Sequence, residues 1–538
     1  MAKYIFVVGG VMSSIGKGVA AASIGNILQS KGYRVANIKC DMYVNVDAGT
    51  IRPAEHGEVF VGEDGIEADQ DLGNYERFTN NVCTRDNYIT TGQVYQEVIR
   101  RERNLEYGGE DVEVVPDIPN EIIRRIKLCR KKDNAEIVVI EFGGTVGEYQ
   151  LLLFLEAARM MKSANPADVF FVMVSYLPTP SLLGEQKSKP TQFAIRTLNS
   201  AGIAPDFILC RADQPVTPDI KHTISTVCSL PEERIISAPD IYSIYDVPVN
   251  FEKEHFGEIV LRTMGLKVRK KDLAEWTKLS QKIKKISKKT TIGIVGKYFN
   301  FKSCRDTYIS VIEAINHASW AENRRPEILW LDSEKYEANQ KQLKELDKLD
   351  GIIVPGGFGK RGTEGMILAA EYARKHKIPY FGLCLGMQIL TISFARHVLG
   401  LKDANSTELN SKTKNPVICT MSDQVETIKN KQYGGSMRLG AYPASLAKNS
   451  LSYKAYGAVE ISERHRHRYE FNNRYKETLR KGGLRIAGTN HGLDLVEIVE
   501  VEGHPWMVGT QFHPEFKSRP LKPHPLFRDF IRTAIRKR

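Results

Sequence analysis

The stretch GLCLG at residues 382–386 constrains this chain more than any other. It follows the apolar run Ile378, Pro379, Tyr380 and Phe381, and an apolar run with helical character begins at Leu385. A strand that must become a helix within so few residues needs small flanking side chains, and the turn lifts the residue at its apex out of the sheet. Here the apex is Cys384, beside a helix N-terminus that favours a thiolate. An isolated cysteine in such surroundings reads as a buried structural one. Far downstream, however, Gln511-Phe512-His513-Pro514-Glu515 supplies a histidine and, two residues beyond it, a carboxylate. A cysteine, a distant histidine and an orienting acid are what a Cys–His acyl-transfer site needs, with Glu515 fixing the tautomer of His513.

A third element follows the apolar strand at 351–353: PGGFG at 355–359, whose glycines expose backbone N–H groups to an oxyanion. In this order PGGFG, GLCLG and FHPE resemble the class I, triad-type glutamine amidotransferases. The resemblance implies that Cys384 is the nucleophile, His513 the general base and Glu515 its partner. It also implies an oxyanion hole from the amides of Gly357 and Leu385, and ammonia as the product.

Ammonia implies a consumer, and the other end of the chain offers one. Residues 3–8 (KYIFVV) read as a buried parallel strand, followed by a glycine-rich loop through Gly18 and a helical pattern to Lys31. Strand, loop and helix form a phosphate cradle from Ser13, Ser14, Ile15, Gly16, Lys17 and Gly18, with Lys17 reaching the β/γ-phosphates of ATP. Gly18 stands where the Walker pattern has a Ser or Thr for magnesium, so Mg²⁺ must be held by carboxylates from elsewhere. Asp71 closes an acidic, glycine-punctuated run at 63–71, and Glu141 ends the strand begun at Ile137, where open α/β sheets bind ligands. These two are the expected metal ligands.

The whole N-terminal half then resembles the CTP synthase family. The matching segments are residues 9–18, KCDMYVNVD at 39–47, HGEVFV at 56–61, DLGNYERF at 71–78, GGTVG at 143–147 and KSKPTQ at 187–192. The resemblance is colinear through both halves. It implies ATP-dependent amination of UTP through a 4-phosphorylated intermediate, with Lys17 and Lys39 flanking the transferred phosphoryl group. It implies UTP contacts at Ser13, Lys187, Lys189 and Gln192, with CTP as product and feedback inhibitor contacting Glu148 and Gln150. Glutamine would meet Gly357, Gln388, Glu408 and Arg468, and the activator GTP would meet Arg361. His56 and Val59 would line an internal ammonia passage, and the family forms homotetramers. The chain departs from the family pattern at Gln150, where an acid contacts the cytosine amino group, and at Thr223, Met42 and Glu55.

At 538 residues the chain is too long for one core. The expected organisation is two doubly wound parallel-sheet α/β domains, 1–265 and 291–538, joined by a linker helix at 266–290 with Trp276, Leu279 and Ile283 on its docked edge. The net charge of +12 is explained by triphosphate sites, the lysine-rich stretch around Trp276 and the basic end at 535–538, without nucleic acid. No apolar run spans a membrane, and eight scattered cysteines favour a reducing cytoplasm. Two other readings remain open here: another ATP-dependent amidotransferase of the cobyric-acid amide synthase kind, and a non-catalytic filament-forming relic. The first gives no reason for KSKPTQ or EHGEVFV, and the second none for intact Cys384, His513, Glu515, Lys17, Asp71 and Glu141.

Overall fold

The computed structural model describes the chain apart from Met1, Leu183, residues 298–303, 422–433 and 537–538, so the last two basic residues of the tail lie outside it. It forms two compact units, Met1–Ala48 with Asp71–Gln281, and Gly49–Gln70 with Lys282–Arg538. Among the described residues no helix is long and apolar enough to cross a membrane.

In the first unit β1 (Lys3–Gly9), β2 (Val35–Asp41), β3 (Tyr88–Thr90), β4 (Ile137–Phe142), β5 (Val169–Tyr176), β6 (Phe207–Ala212) and β7 (Ile235–Pro239) make one sheet in the order β3-β2-β4-β1-β5-β6-β7. Each neighbouring pair is parallel. Helices cover both faces, so the strands are mostly apolar, and Ile5, Phe6, Val7 and Val8 are fully buried. Register brings Lys39 of β2 and Val7 of β1 opposite Glu141 of β4, at the carboxyl end of the sheet. Helix α1 (Lys17–Ser30) leaves the glycine-rich loop, α2 (Asp71–Thr79) begins at the expected metal ligand, and α3 (Lys189–Ser200) begins at the KSKPTQ segment. Within the expected linker only α4 (Ala274–Lys285) is helical, and Lys289 and Thr290 already belong to the next strand. The docked edge is present, with Trp276, Leu279 and Ile283 all buried.

The second sheet contains β8 (Lys289–Gly296), β9 (Arg325–Asp332), β10 (Gly351–Val354), β11 (Tyr380–Leu383), β12 (Arg438–Leu446), β13 (Glu460–His467), β14 (Leu484–Asn490), β15 (Leu495–Val501) and β16 (Met507–Thr510). Its order is β9-β8-β10-β11-β16-β15-β14-β12-β13. From β9 to β16 the pairs are parallel; from β16 to β13 they are antiparallel. The wholly parallel second sheet expected from the sequence is therefore half right. Between β12 and β13 and between β13 and β14 the α-helices are the short Leu451–Tyr456 and Lys476–Lys481, and antiparallel neighbours need no long crossover.

The boundary expected near 265–291 did not set apart Gly49–Gln70, which packs with the second unit. Within this segment Phe60–Val61 pairs with Glu67–Ala68 as a small antiparallel ladder. Fully buried Arg464 of β13 donates to the Val61 carbonyl at 3.0 Å and to Glu63 Oε1 at 3.1 Å, and Arg466 reaches Glu67 Oε1 at 2.8 Å. Glu58 accepts from Ser310 N and Oγ. Removing one partner from a buried ion pair of this kind costs about 3–5 kcal/mol, because the other charge is left unpaired.

Candidate functional site

The phosphate loop is built by backbone that few residues adopt. Val11, Ser14 and Gly16 have φ of 76°, 56° and 86°, which turns the loop sharply between β1 and α1. Ser13, Ser14 and Gly16 are exposed, while Ile15, Lys17 and Gly18 are buried. Lys17 Nζ donates to the Gly144 carbonyl at 2.7 Å, and burial lowers its pKa against the pull of Glu141. Gly10 abuts α3, since a Cβ there would lie 2.7 Å from that of Ala194.

Behind the loop Lys39 joins the two expected metal ligands. Its ammonium lies 2.5 Å from Asp71 Oδ2 and 2.9 Å from Glu141 Oε1. Tyr75 donates to the other oxygen of Glu141, whose pKa burial and neighbouring Asp71 push up to about 7. The absent hydroxyl at Gly18 now has a physical reason. A Cβ on Gly18 would lie 1.8 Å from Asp71 Oδ1, so the carboxylate occupies the space of the missing side chain. Two carboxylates converging on one cationic group are a hard-oxygen donor set that fits magnesium.

Around this centre Glu148 is tied down, accepting from Thr145 N and Oγ1 at 2.7 and 2.6 Å, and exposed Gln150 donates to Glu148 Oε2 at 2.8 Å. Lys187 pairs with Glu185, Lys189 opens α3, and buried Gln192 donates to Ser188 Oγ at 3.0 Å. Sequence reasoning missed a cavity of about 410 Å³ beside Gly16, lined also by Leu209, Arg211, Asp240, Ile244 and Phe251. Its position past the ends of β6 and β7 was the available signal.

In the second unit Cys384 sits at φ 51° and ψ −100°, heading helix α5 (Leu385–His397). A non-glycine residue held there stores about 1–3 kcal/mol of strain. The flanking glycines are obligatory: a Cβ on Gly382 would lie 2.4 Å from the Gly386 carbonyl oxygen, and one on Gly386 would lie 2.1 Å from that of Val354. Cys384 N donates to Thr510 O at 2.7 Å, which ties the elbow to β16. His513 Nδ1 lies 2.7 Å from Glu515 Oε1, and its buried Nε2 has no hydrogen-bond partner among the described residues. Burial opposes the charged imidazole, yet the Glu515 carboxylate and the Cys384 sulfur together raise its pKa to about 10. Gly356 makes room for this ring, since a Cβ there would lie 2.7 Å from His513 Cε1.

These residues line a cavity of about 480 Å³ that also touches Gly357, Val59 and Arg361. Gly357 and Leu385 come together over the elbow, with Leu385 Cδ2 3.5 Å from where a Gly357 Cβ would be. Lys297, missed from the sequence, donates to the carbonyls of Phe358 and Gly359 at 2.5 Å each, and burial lowers its pKa to about 8. Glu408 accepts from Gly359 N at 2.8 Å, so both side chains brace the PGGFG loop. Gln388 Nε2 donates to the Tyr469 carbonyl at 2.9 Å, Arg468 reaches Ser436 Oγ at 3.0 Å, and Arg361 pairs with Glu334. His56 faces Asp69 Oδ2 at 3.3 Å and is not among the residues lining the cavity.

Comparison with known proteins agrees with both halves. Residues 3–266 match the model of the CTP synthase N-terminus, and residues 303–533 that of class-I glutamine amidotransferase. The chain is 49% identical to a CTP synthase of Herpetosiphon aurantiacus over 99% of each chain. It is 48% identical to one of Symbiobacterium thermophilum, again over 99% of both. Among solved structures, the glutaminase domain of Trypanosoma brucei CTPS with bound acivicin is 39% identical, covering 46% of this chain and 94% of that one at a TM-score of 0.43. With relatives this similar along its whole length, the chain belongs to the CTP synthase family.

Proposed function

We propose that this chain is a glutamine-hydrolysing ligase that aminates UTP to CTP, with the nitrogen released in the second unit and consumed in the first. The observation that carries the reading is the convergence of Lys17, Lys39, Asp71 and Glu141 at the carboxyl end of one sheet in a chain that also holds a Cys384–His513–Glu515 site. The test is the absorbance change of UTP conversion by purified protein given ATP, magnesium and glutamine. CTP formation is expected, and glutamine hydrolysis without CTP would refute it.

In the glutaminase site Cys384 attacks the glutamine side-chain carbonyl and its proton passes to His513. Glu515 holds that imidazole by Nδ1 and favours its charged form. The amides of Gly357 and Leu385 receive the oxyanion, and removal of one such donor costs about 10²–10³ in rate. His513 then gives its proton to the departing ammonia, and water frees the acyl group from sulfur. Gln388, Glu408 and Arg468 bind glutamine, with the guanidinium on its α-carboxylate.

The loop from Ser13 to Gly18 binds the ATP phosphates, and the 410 Å³ cavity beside Gly16 is of a size and apolar character to take the adenine. Asp71 and Glu141 would hold magnesium, which would supply charge neutralisation to the ATP phosphates. Lys17 and Lys39 align and neutralise the γ-phosphoryl group as it passes to O4 of UTP, where positioning and charge do the work. Ser13, Lys187, Lys189 and Gln192 hold the UTP triphosphate, and Glu148 and Gln150 meet the amino group of bound CTP. Ammonia attacks C4 and phosphate leaves. Because free ammonia at neutral pH is mostly protonated, a sheltered passage by Val59 and His56 keeps it reactive. GTP activation through Arg361, CTP feedback, a homotetramer and a cytoplasmic location complete the reading, with family membership as their support.

A further inference from the structure

Behind the nucleophile, three polar gaps run in a row through the core of the second unit. The Tyr469 carbonyl faces His467 Nδ1 at 3.1 Å, His467 Nε2 faces His465 Nδ1 at 3.1 Å, and His465 Nε2 faces Glu497 Oε2 at 3.7 Å. Glu497 Oε1 accepts from Arg438 Nη2 at 2.7 Å. All four side chains are buried, and Glu497 Oε2 makes no hydrogen bond among the described residues. The row ends in an acceptor on both sides, and two neutral imidazoles bring only two N–H groups to three gaps. A carbonyl cannot donate, so His467 carries its proton on Nδ1 and accepts at Nε2. His465 must then donate from Nδ1, which leaves its Nε2 lone pair facing a carboxylate oxygen. The distances agree, because the two occupied gaps have hydrogen-bond length and the third does not.

The surroundings keep both rings neutral. Burial foremost, then Arg438 from β12, hold the pKa of each well below the usual imidazole range, with His513 adding to the effect. Tyr442 and Phe512 meet His465 edge-on, with ring centroids at 5.4 and 5.9 Å. Burial raises the pKa of Glu497, and Arg438 opposes it.

The row is wired to the catalytic atoms at both ends. The Tyr469 carbonyl that receives His467 also receives Gln388 Nε2, which lies 3.4 Å from Gln511 Oε1. Gln511 Nε2 lies 3.7 Å from Cys384 Sγ, and Gln511 N donates to the Glu497 carbonyl at 2.8 Å. The alternate residues of β13 present their carbonyls to the site: Arg464 O accepts from His513 N at 2.8 Å, and Arg466 O lies 3.7 Å from Cys384 Sγ. We infer that His465 and His467 are positioning residues of the glutaminase site, acting as neutral Nδ1–H tautomers that fix β13 and the Tyr469 carbonyl, with the position between His465 Nε2 and Glu497 left without a proton. The inference rests on the reading of Cys384 as the glutaminase nucleophile.

Two measurements test it. A neutron crystal structure of the full chain at neutral pH reads the tautomers independently of any activity. Deuterium is expected on Nδ1 of both rings and none between His465 Nε2 and Glu497; deuterium on His465 Nε2 would overturn the inference. Kinetically, asparagine places its amide nitrogen where Nδ1 lies, and glutamine places it where Nε2 lies. His465→Asn should keep glutaminase kcat/KM within about threefold of the parent, whereas His465→Gln should lose about tenfold or more, the size of a lost buried hydrogen bond. Ammonia-dependent CTP formation should be unchanged in both, which certifies folding. Equal losses in the two variants, or none in either, would contradict the positioning role. Failure of the Cys384 reading is recognised separately, by glutaminase activity that survives Cys384→Ala.

Discussion

Replacing Gly18 with alanine should cripple synthesis while sparing the glutaminase. The added methyl would lie 1.8 Å from Asp71 Oδ1, 2.3 Å from Cγ and 2.8 Å from Oδ2. Even close C–H···O contacts sit at roughly 3.3–3.6 Å, so methyl and carboxylate must part by about 1.5–1.8 Å. Asp71 cannot simply rotate away. It is the first residue of α2, it pairs with Lys39 at 2.5 Å, and its other oxygen accepts from Asn74 at 3.2 Å. Nor can α1 easily withdraw, because Gly25 two turns on is as tightly placed, with Asn37 Oδ1 2.6 Å from its would-be Cβ. A misplacement of about 1 Å in a catalytic constellation costs on the order of 10²-fold in rate, and overpacking costs about 1–3 kcal/mol of stability. Ammonia-dependent CTP formation by Gly18→Ala should therefore fall at least about 100-fold, with glutaminase activity within about threefold of the parent. Gly18→Ser should fail in the same way, although it restores the hydroxyl of the ordinary loop. A folded Gly18→Ala protein with ammonia-dependent kcat within about threefold of the parent would refute the claim that Asp71 occupies the place of the missing side chain.

Other perturbations separate the parts. Asp71→Asn and Glu141→Gln should each abolish most glutamine- and ammonia-driven synthesis while glutaminase activity stays measurable; near-normal ammonia-driven rates would remove that carboxylate from the metal site. CTP should inhibit the protein about tenfold more weakly than it inhibits Gln150→Glu, since an acid offers a charge-assisted bond where the amide offers only its carbonyl. Inhibition constants at matched UTP decide this, and equal or tighter inhibition of the parent means that Glu148 or Tyr149 makes the contact. For His513 the folded pKa of about 10 exceeds the ordinary histidine value of 6.5. Its contribution to stability is thus full below about pH 6.5 and is lost as pH rises through about 10. Glu515→Gln should therefore lower Tm most just below about pH 6.5, with the deficit shrinking steadily as pH rises towards 10. A deficit that grows with pH would mean that Glu515 does not stabilise the imidazolium.

The elbow and the phosphate loop were legible because their chemistry is local. Gly382, Cys384 and Gly386 specify one turn, and strand, loop and helix specify one cradle, whatever lies around them. Asp71 and Glu141 could be named as candidates because Gly18 left a demand for carboxylates from elsewhere, and the structure brings both onto Lys39. What stayed hidden depends on contacts distant in sequence. Nothing in residues 49–70 announces that Glu63 and Glu67 find Arg464 and Arg466 some four hundred residues away. The alternation of His465 and His467 with three arginines suggests a metal or nucleic-acid patch when read alone. Burial against Arg438 and Glu497 turns it into an inward hydrogen-bonded row. Lys297 was invisible for the same reason, since its partners are carbonyls of a loop sixty residues on.

The two-site account is tested most directly by CTP formation in Cys384→Ala, measured with ATP, UTP and magnesium and with either glutamine or an ammonium salt as nitrogen source. The account predicts no CTP from glutamine and near-parental rates from ammonia, because the nucleophile serves only the second unit. Loss of the ammonia-driven reaction in a folded variant, or persistence of the glutamine-driven one, would contradict it.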